Sequence, residues 1–333
     1  MEDVGLSTYV MSDIHGNYRA YKAMLEKINF NREDMLYILG DILDRGPNPI
    51  RIILDLMERF NVEVIAGNHC VMACECLAFL TKEITSESIA EIDEEMIQKL
   101  LSWQQNGGIS TTDEFHKCSR EMQREIVDFI SDFELYDEIE VNGQKFVLVH
   151  AGLGNFMPNK ELWKYELNDL IWERPDCEKC YYSDKFVITG HTPTMLIEDN
   201  PRPGYIYKKN NHIAIDCGCG FRGGRLGCLR LEDMEEFYVK FAESRKTEFV
   251  KEYTMNIGLW LCGVLVIPFV IIGVLFAIFK EKAAKFVSGF NSLPKEEQAL
   301  YDKAHISRDI KNQCFTWAGI MLVGAVLSYF LTP

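Results

Sequence analysis

Positive charge is in short supply in this chain: 35 Lys and Arg stand against 50 Asp and Glu, a formal net charge of −15 at pH 7. Non-specific binding to a polyphosphate relies on clustered Lys and Arg, so a broad nucleic-acid surface is excluded. No secretory signal is expected either, because Met1 to Thr8 is too short and too polar to be one. The 11 cysteines are therefore expected as reduced thiols of a cytosolic compartment, not as a disulfide framework. No second Cys-x-x-Cys accompanies Cys177-Glu178-Lys179-Cys180, which argues against a structural zinc although Cys217 and Cys219 lie downstream. What is present is apolar material: 47% of the 333 residues are hydrophobic, enough to bury a core in about two domains.

From Thr8 the chain alternates short apolar runs with helical patterns in the manner of βαβ units. Tyr9-Val10-Met11 ends in Ser12-Asp13-Ile14-His15-Gly16-Asn17, and a helix through Tyr21, Met24, Leu25 and Ile28 follows. Met35-Leu36-Tyr37-Ile38-Leu39 ends in Gly40-Asp41-Ile42-Leu43-Asp44-Arg45-Gly46, followed by a helix through Ile50, Ile53, Leu54 and Met57. Val62-Glu63-Val64-Ile65-Ala66 ends in Gly67-Asn68-His69-Cys70. Ligands collect at the carboxyl ends of strands in open α/β sheets, so these loops are expected to converge. Between Val71 and Phe133 the pattern is helical and acidic, punctuated by a turn at Trp103-Gln104-Gln105-Asn106-Gly107-Gly108. Strands resume at Lys145 to Val149, ending in His150-Ala151-Gly152, and at Lys185 to Thr189, ending in Gly190-His191-Thr192. Leu170-Ile171-Trp172-Glu173-Arg174-Pro175 lies between them, and further short strands are expected at Ile213 to Asp216 and Leu226 to Leu231.

Together the strand ends offer Asp13, His15, Asp41, Asn68, His150 and His191, a mixed oxygen and nitrogen set without thiolate. Such a set suits Mn first, with Fe or Zn as alternatives. Six ligands sharing Asp41 suit two divalent metals about 3.5–4 Å apart, which can activate a water for in-line attack on phosphorus. Arg45 and Arg174 are candidates to grip phosphoryl oxygens, and His69, steadied by Asp44, to protonate the leaving oxygen.

Asp-Ile-His-Gly at 13–16, Gly-Asp-x-x-Asp-Arg-Gly at 40–46, Gly-Asn-His at 67–69, His-Ala-Gly at 150–152 and Gly-His-Thr at 190–192 resemble, in identity and order, the bacterial phosphoprotein phosphatases among the calcineurin-like metallophosphoesterases. Ile171 to Arg174, Asp216, the Gly-Gly-Arg-Leu of 223–226, Asn106-Gly107-Gly108 and Thr111 fit as well. The resemblance covers Thr8 to Leu231. It implies a four-layer α/β/β/α sandwich holding two metals and acting on phosphoserine and phosphothreonine. A rival within the same fold is a small-molecule phosphoesterase such as a diadenosine tetraphosphate hydrolase; a rival of another class is an inactive membrane scaffold, against which the retained constellation argues. Two positions depart from the family pattern: Cys70 replaces a usual Glu and Ser12 a frequent Gly. Cys70 beside the site raises the possibility of oxidative inhibition.

The composition then changes. The 27 residues from Tyr253 to Phe279 carry no charge, and Asn312 to Pro333 is a second uncharged run. About 20 apolar residues cross the hydrocarbon core, so a two-segment transmembrane hairpin is expected. The division is a catalytic domain at residues 1–250, a first membrane helix at 255–279, a charged loop at 280–313 and a second helix at 314–331. The Lys and Arg of that loop conflict with an outside placement, and a re-entrant hairpin bent at Pro268 resolves the conflict. The expected location is the cell membrane with the catalytic domain facing the cytoplasm, and the expected partners are a phosphorylated substrate and the bilayer.

Overall fold

The computed structural model describes residues 6–82, 94–240, 257–280, 282–283 and 302–331. Two compact units divide the chain, Met1–Glu243 and Ser244–Pro333.

The first unit is built on two five-stranded sheets. In one, β1 (Thr8–Met11) runs parallel to β2 (Met35–Leu39) and β2 to β3 (Val62–Ile65), while β9 (Arg225–Arg230) and β10 (Glu236–Lys240) extend it antiparallel, in the order β10-β9-β1-β2-β3. In the other, β4 (Tyr136–Val141), β5 (Gln144–Val149), β6 (Lys185–Thr189), β7 (Tyr207–Lys209) and β8 (His212–Ala214) take the order β4-β5-β6-β8-β7.

Strand periodicity sorts the side chains into layers, because successive residues face opposite sides. On β1, Tyr9 and Met11 face outward onto helices, joined by Leu36 and Ile38 of β2. That outer layer is α1 (Tyr18–Lys27), which buries Tyr21, Met24 and Leu25, and α2 (Pro49–Met57), which buries Ile50, Ile53 and Leu56. Proline at the start of α2 suits a position whose N–H has no helical partner. Val10, Leu39 and Ile65 face inward and meet Phe146, Leu148, Ile188 and Ile213 of the second sheet. Val147, Val149 and Val187 face out of that sheet onto Leu153, Leu162, Leu170 and Ile171. The expected α/β/β/α sandwich is present, with one qualification: a single-turn 3-10 helix (Leu162–Lys164) and a five-residue helix (Leu167–Ile171, closed by a Glu166/Asp169 capping box) stand where a full helical layer is expected.

Across the region expected to be helical and acidic run Asn68–Leu80, Glu94–Trp103, Ile109–Phe115 and Arg120–Ser131. The acidic stretch at Glu83, Glu87, Glu91 and Asp93 lies outside the described residues.

The second unit contains the helices Ile257–Phe279 and Lys303–Leu331. The second begins eleven residues before 314, so the expected loop over 280–313 is too long. Its start is capped by Asp302, whose Oδ1 accepts the Ala304 N–H at 2.9 Å and the His305 N–H at 3.0 Å. Within the pair, the Ser307 hydroxyl donates to the Phe276 carbonyl at 3.3 Å. Among the described residues, no helix is long and apolar enough to cross a membrane. The two expected membrane spans are thus unsupported by the structure, and the uncharged runs remain properties of the sequence.

Candidate metal centre

Four strand ends and the start of the helix Asn68–Leu80 meet at one point. Backbone bonds tie the first two loops together: the N–H groups of Asp13, His15 and Gly16 donate to the carbonyls of Gly40, Asp41 and Ile42 at 3.2, 2.8 and 2.9 Å. Glycine makes the approach possible. A Cβ on Gly67 would stand 2.2 Å from Asp41 Oδ1, and one on Gly190 would stand 2.3 Å from Asp13 Oδ2.

Asp41 is the centre of the arrangement. Its Oδ1 accepts the His69 N–H at 3.0 Å, and its Oδ2 lies 3.5 Å from His150 Nε2 and 3.8 Å from His15 Nε2. Asp13 Oδ1 is 3.9 Å from the same His15 nitrogen, and Asp13 Oδ2 accepts the His191 N–H at 2.9 Å. Asn68 Oδ1 lies 3.1 Å from His150 Nε2 and 3.0 Å from His191 Nδ1. The tautomers of two ligands follow from their outer contacts. His15 Nδ1 donates to the Leu43 carbonyl at 3.1 Å and His150 Nδ1 to the Leu39 carbonyl at 2.8 Å, which turns the lone pair of each Nε2 toward the carboxylates.

This donor set fits divalent cations. The lone pair of His150 Nε2 faces Asp41 Oδ2 at 3.5 Å and Asn68 Oδ1 at 3.1 Å with no proton between them, an arrangement that repels itself unless a cation intervenes. Two overlapping clusters, His15 with Asp41 and His69, and Asp41 with His150 and His191, can each hold a metal ion. Electrostatics agree. Burial drives the pKa of Asp13 well up, and the Asp216 and Asp41 carboxylates push it further. Asp216 is raised to about 7, chiefly by burial. Burial also lowers His15 well below its ordinary value and takes His191 to about 4, leaving neutral imidazoles of the kind metals bind. For Asp41 burial opposes ionisation, yet the surrounding His150, His69, His15 and His191 keep its pKa below the carboxylate range.

A family model described as calcineurin-like phosphoesterase matches residues 6–214. The chain belongs to the calcineurin-like phosphoesterases. It is a hydrolase of that superfamily, whose members use paired divalent metals. A second model, described only as a domain of unknown function (DUF3784), matches residues 263–333. Two relatives match this phosphoesterase over most of their own length. One is an asymmetrical bis(5'-nucleosyl)-tetraphosphatase of Anoxybacillus flavithermus, 25% identical, covering 68% of this chain and 91% of the relative. The other, of the same name, is from Oceanobacillus iheyensis, 25% identical, covering 74% and 95%. A symmetrical bis(5'-nucleosyl)-tetraphosphatase of Wigglesworthia glossinidia brevipalpis is 33% identical over 29% of this chain and 37% of its own. Among solved structures, a metallophosphoesterase from Sphaerobacter thermophilus is similar with a TM-score of 0.42 at 15% identity, over 71% of this chain and 88% of that one.

All ten candidate residues of the phosphoesterase lie in this region. Asp13, His15, Asp41, Asn68, His191, His69, Arg45 and Arg174 line a cavity of about 290 Å³, with His150 and Asp44 buried beneath it. Arg45 is turned otherwise than a phosphate clamp requires: its Nη1 donates to His15 Nε2 and its Nη2 to His69 Nε2, both at 2.9 Å, because two bare imidazole nitrogens beside buried carboxylates attract the guanidinium. Cys70 is buried. Burial, with Asp41 nearby, pushes its thiol up to about 12, which argues against oxidative control there. Absent from the candidate set are Asp216, which bears on Asp13, and the cavity-lining aromatics Trp172 and Phe221. The Trp172-Glu173-Arg174 and Asp216 motifs were signals for two of these. Phe221 lies in a glycine-rich turn with no such mark.

Proposed function

We propose that this phosphoesterase cleaves phosphoanhydride bonds of dinucleoside polyphosphates, with two Mn ions held by Asp13, His15, Asp41, Asn68, His150 and His191. When bound, the two cations supply Lewis acidity and lower the pKa of a water near the phosphorus. The protein does the rest. Arg174, at the mouth of the cavity, and Arg45, swung from its imidazole contacts, receive the non-bridging oxygens. His69, whose Nδ1 meets Asp44 Oδ2 at 2.7 Å, presents Nε2 to the leaving oxygen and delivers its proton.

The observation that carries the hydrolytic reading is the placement of the Asp44–His69 pair and both arginines around one cavity above the clustered ligands. Two features favour a nucleotide over a phosphopeptide. Trp172 and Phe221 expose their rings at the cavity, surfaces on which a nucleobase can stack. Relatives aligned over nine-tenths of their length are named for tetraphosphatase activity. The phosphoserine and phosphothreonine reading uses the same chemistry and rests on the motif resemblance alone. Attachment to the cytoplasmic face of the cell membrane through the uncharged C-terminal runs is proposed from sequence.

The test is a side-by-side rate measurement of the full chain with Mn on diadenosine tetraphosphate and on phosphoserine, phosphothreonine and phosphotyrosine peptides. The nucleotide is expected to lead in kcat/KM by about tenfold or more. Faster turnover of a peptide overturns the substrate assignment, and the nucleotide products separate symmetrical from asymmetrical cleavage.

A further inference from the structure

The turn from Trp103 to Thr111 reaches into the centre and holds two of its residues. Asp44 is 0% exposed, and every group that holds its carboxylate is itself buried. The Trp103 indole N–H points between the two oxygens, 3.1 Å from Oδ1 and 2.9 Å from Oδ2. The Thr111 hydroxyl donates to Oδ1 at 2.6 Å, and its oxygen accepts the Asp44 N–H at 3.0 Å. Only then does Oδ2 meet His69 Nδ1, at 2.7 Å. The same turn grips the next residue, since the Arg45 N–H donates to the Gly107 carbonyl at 3.0 Å. Gly107, at φ +110, lies so close that a Cβ would stand 2.8 Å from Arg45 Cγ.

We propose that Trp103 and Thr111 are positioning residues for proton delivery: they lock the Asp44 carboxylate so that it holds one His69 proton on Nδ1, and the second proton, which the imidazole takes up from solvent on Nε2 once Arg45 has swung away, is the one aimed at the leaving oxygen and passed to it. The proposal rests on the phosphoesterase reading above. The chemistry of the donors supports it. A buried carboxylate can be satisfied by any donors, and a Lys or Arg would neutralise it outright. Here the two donors beside His69 are uncharged, so they fix orientation while leaving the negative charge free to act on the imidazole. Both are also rigidly mounted. The indole is 0% exposed and packs on Gly108, where a Cβ would stand 2.6 Å from the ring, and Thr111 sits at 0% exposure in the first turn of the helix Ile109–Phe115. Between them the chain kinks at Gly107, whose φ of +110 and ψ of 12 are not helical, and this break lets one segment present an indole, a carbonyl and a hydroxyl to two consecutive residues.

The experiment uses the full chain loaded with Mn and the variants Thr111→Val, Thr111→Ser and Trp103→Phe. Rates are measured on phenyl phosphate, whose leaving oxygen needs a proton, and on 2,4-dinitrophenyl phosphate, whose leaving oxygen does not. Thr111→Val and Trp103→Phe are expected to lower kcat for phenyl phosphate about tenfold or more, with markedly smaller losses for the dinitrophenyl ester, little change in KM and unchanged bound Mn. Thr111→Ser, which retains the hydroxyl, is expected to stay near wild type. Equal losses on both esters, or none, overturn the proposal. Nitrogen-15 NMR of His69 supplies a readout independent of turnover: one Nδ1–H tautomer in the wild type and a mixture in Thr111→Val support the brace, whereas the same tautomer in both overturns it. A wild type that hydrolyses neither ester nor diadenosine tetraphosphate refutes the phosphoesterase reading, and the NMR result then decides the brace separately.

Discussion

A single methyl group at Gly40 tests the packing that brings the strand ends together. Gly40 closes β2 at φ +73, where a Cβ would stand 2.6 Å from Gly67 Cα, Gly67 N and His150 Nδ1. Two costs add. The left-handed backbone costs an alanine roughly 1–2 kcal/mol. Overpacking against atoms that cannot yield costs roughly 1–3 kcal/mol more. They cannot yield because Gly67 presents backbone and His150 is pinned by its bond to the Leu39 carbonyl at 2.8 Å. Gly143 isolates the first cost: it has φ +77 in the β4–β5 hairpin, and a Cβ there would meet nothing within 4 Å. Gly40→Ala is therefore expected to destabilise by about 2–5 kcal/mol and Gly143→Ala by about 1–2 kcal/mol. Urea unfolding followed by tryptophan fluorescence measures both. Because the new methyl abuts a ligand, Mn affinity should fall about tenfold or more in Gly40→Ala and stay unchanged in Gly143→Ala. Equal destabilisation by the two substitutions, with Mn affinity intact in both, would refute the close-approach argument.

Asp41→Asn removes the charge shared by both ligand clusters, so Mn binding by calorimetry should weaken sharply and phosphatase activity should vanish. His69→Asn should keep Mn bound while lowering kcat about 10²-fold or more, as loss of a proton donor requires. Burial takes the pKa of His212 to about 4, below the ordinary 6.5. Between those values the unfolded chain binds a proton that the folded chain refuses, so stability falls as pH drops, by about 2 kcal/mol from pH 7 to 5. His212→Gln should remove that pH dependence from the urea midpoint. Mild peroxide should leave the activity of the Mn-loaded wild type unchanged, since the Cys70 thiol is buried and held at about 12; inactivation that Cys70→Ser abolishes would contradict this.

The sequence revealed the site more completely than the framework around it, for a physical reason. Each candidate ligand follows a strand that ends in an apolar run, such as Tyr9-Val10-Met11 or Phe146 to Val149, and such runs stand out from their surroundings. The strands with no such mark, β4, β7 and β10, are edges of their sheets. Their apolar residues are interrupted by Asp137, Glu138 and Glu140 in β4, by Lys208 and Lys209 in β7 and by Glu236 and Lys240 in β10, a charge pattern that protects an edge and hides its periodicity. The Trp103 turn was legible as a turn, but its reach to Asp44 spans 59 residues of sequence and no local pattern encodes such a contact. The orientation of Arg45 is set by two histidines from different loops, equally beyond local reading.

Backbone conformation supplies a separate line of support for the site. Asp13, His15, Asp41, Asp44, Arg45 and His191 all have positive φ, between 46° and 67°. Asparagine and glycine account for most other positive-φ positions in the first unit, and they adopt this region at little cost. Histidine and arginine do not, so each such residue costs of order 1 kcal/mol that surrounding structure must offset. The offset is visible: the first two loops are laced by the Asp13, His15 and Gly16 N–H bonds, Arg45 is tied to Gly107, and His191 to Asp13. Six left-handed conformations gathered on three loops, three of them on His15, Arg45 and His191, each aiming a ligand or a charged group at one centre, are difficult to explain by folding stability, which they do not raise. They follow directly if the loops are held for what their side chains bind.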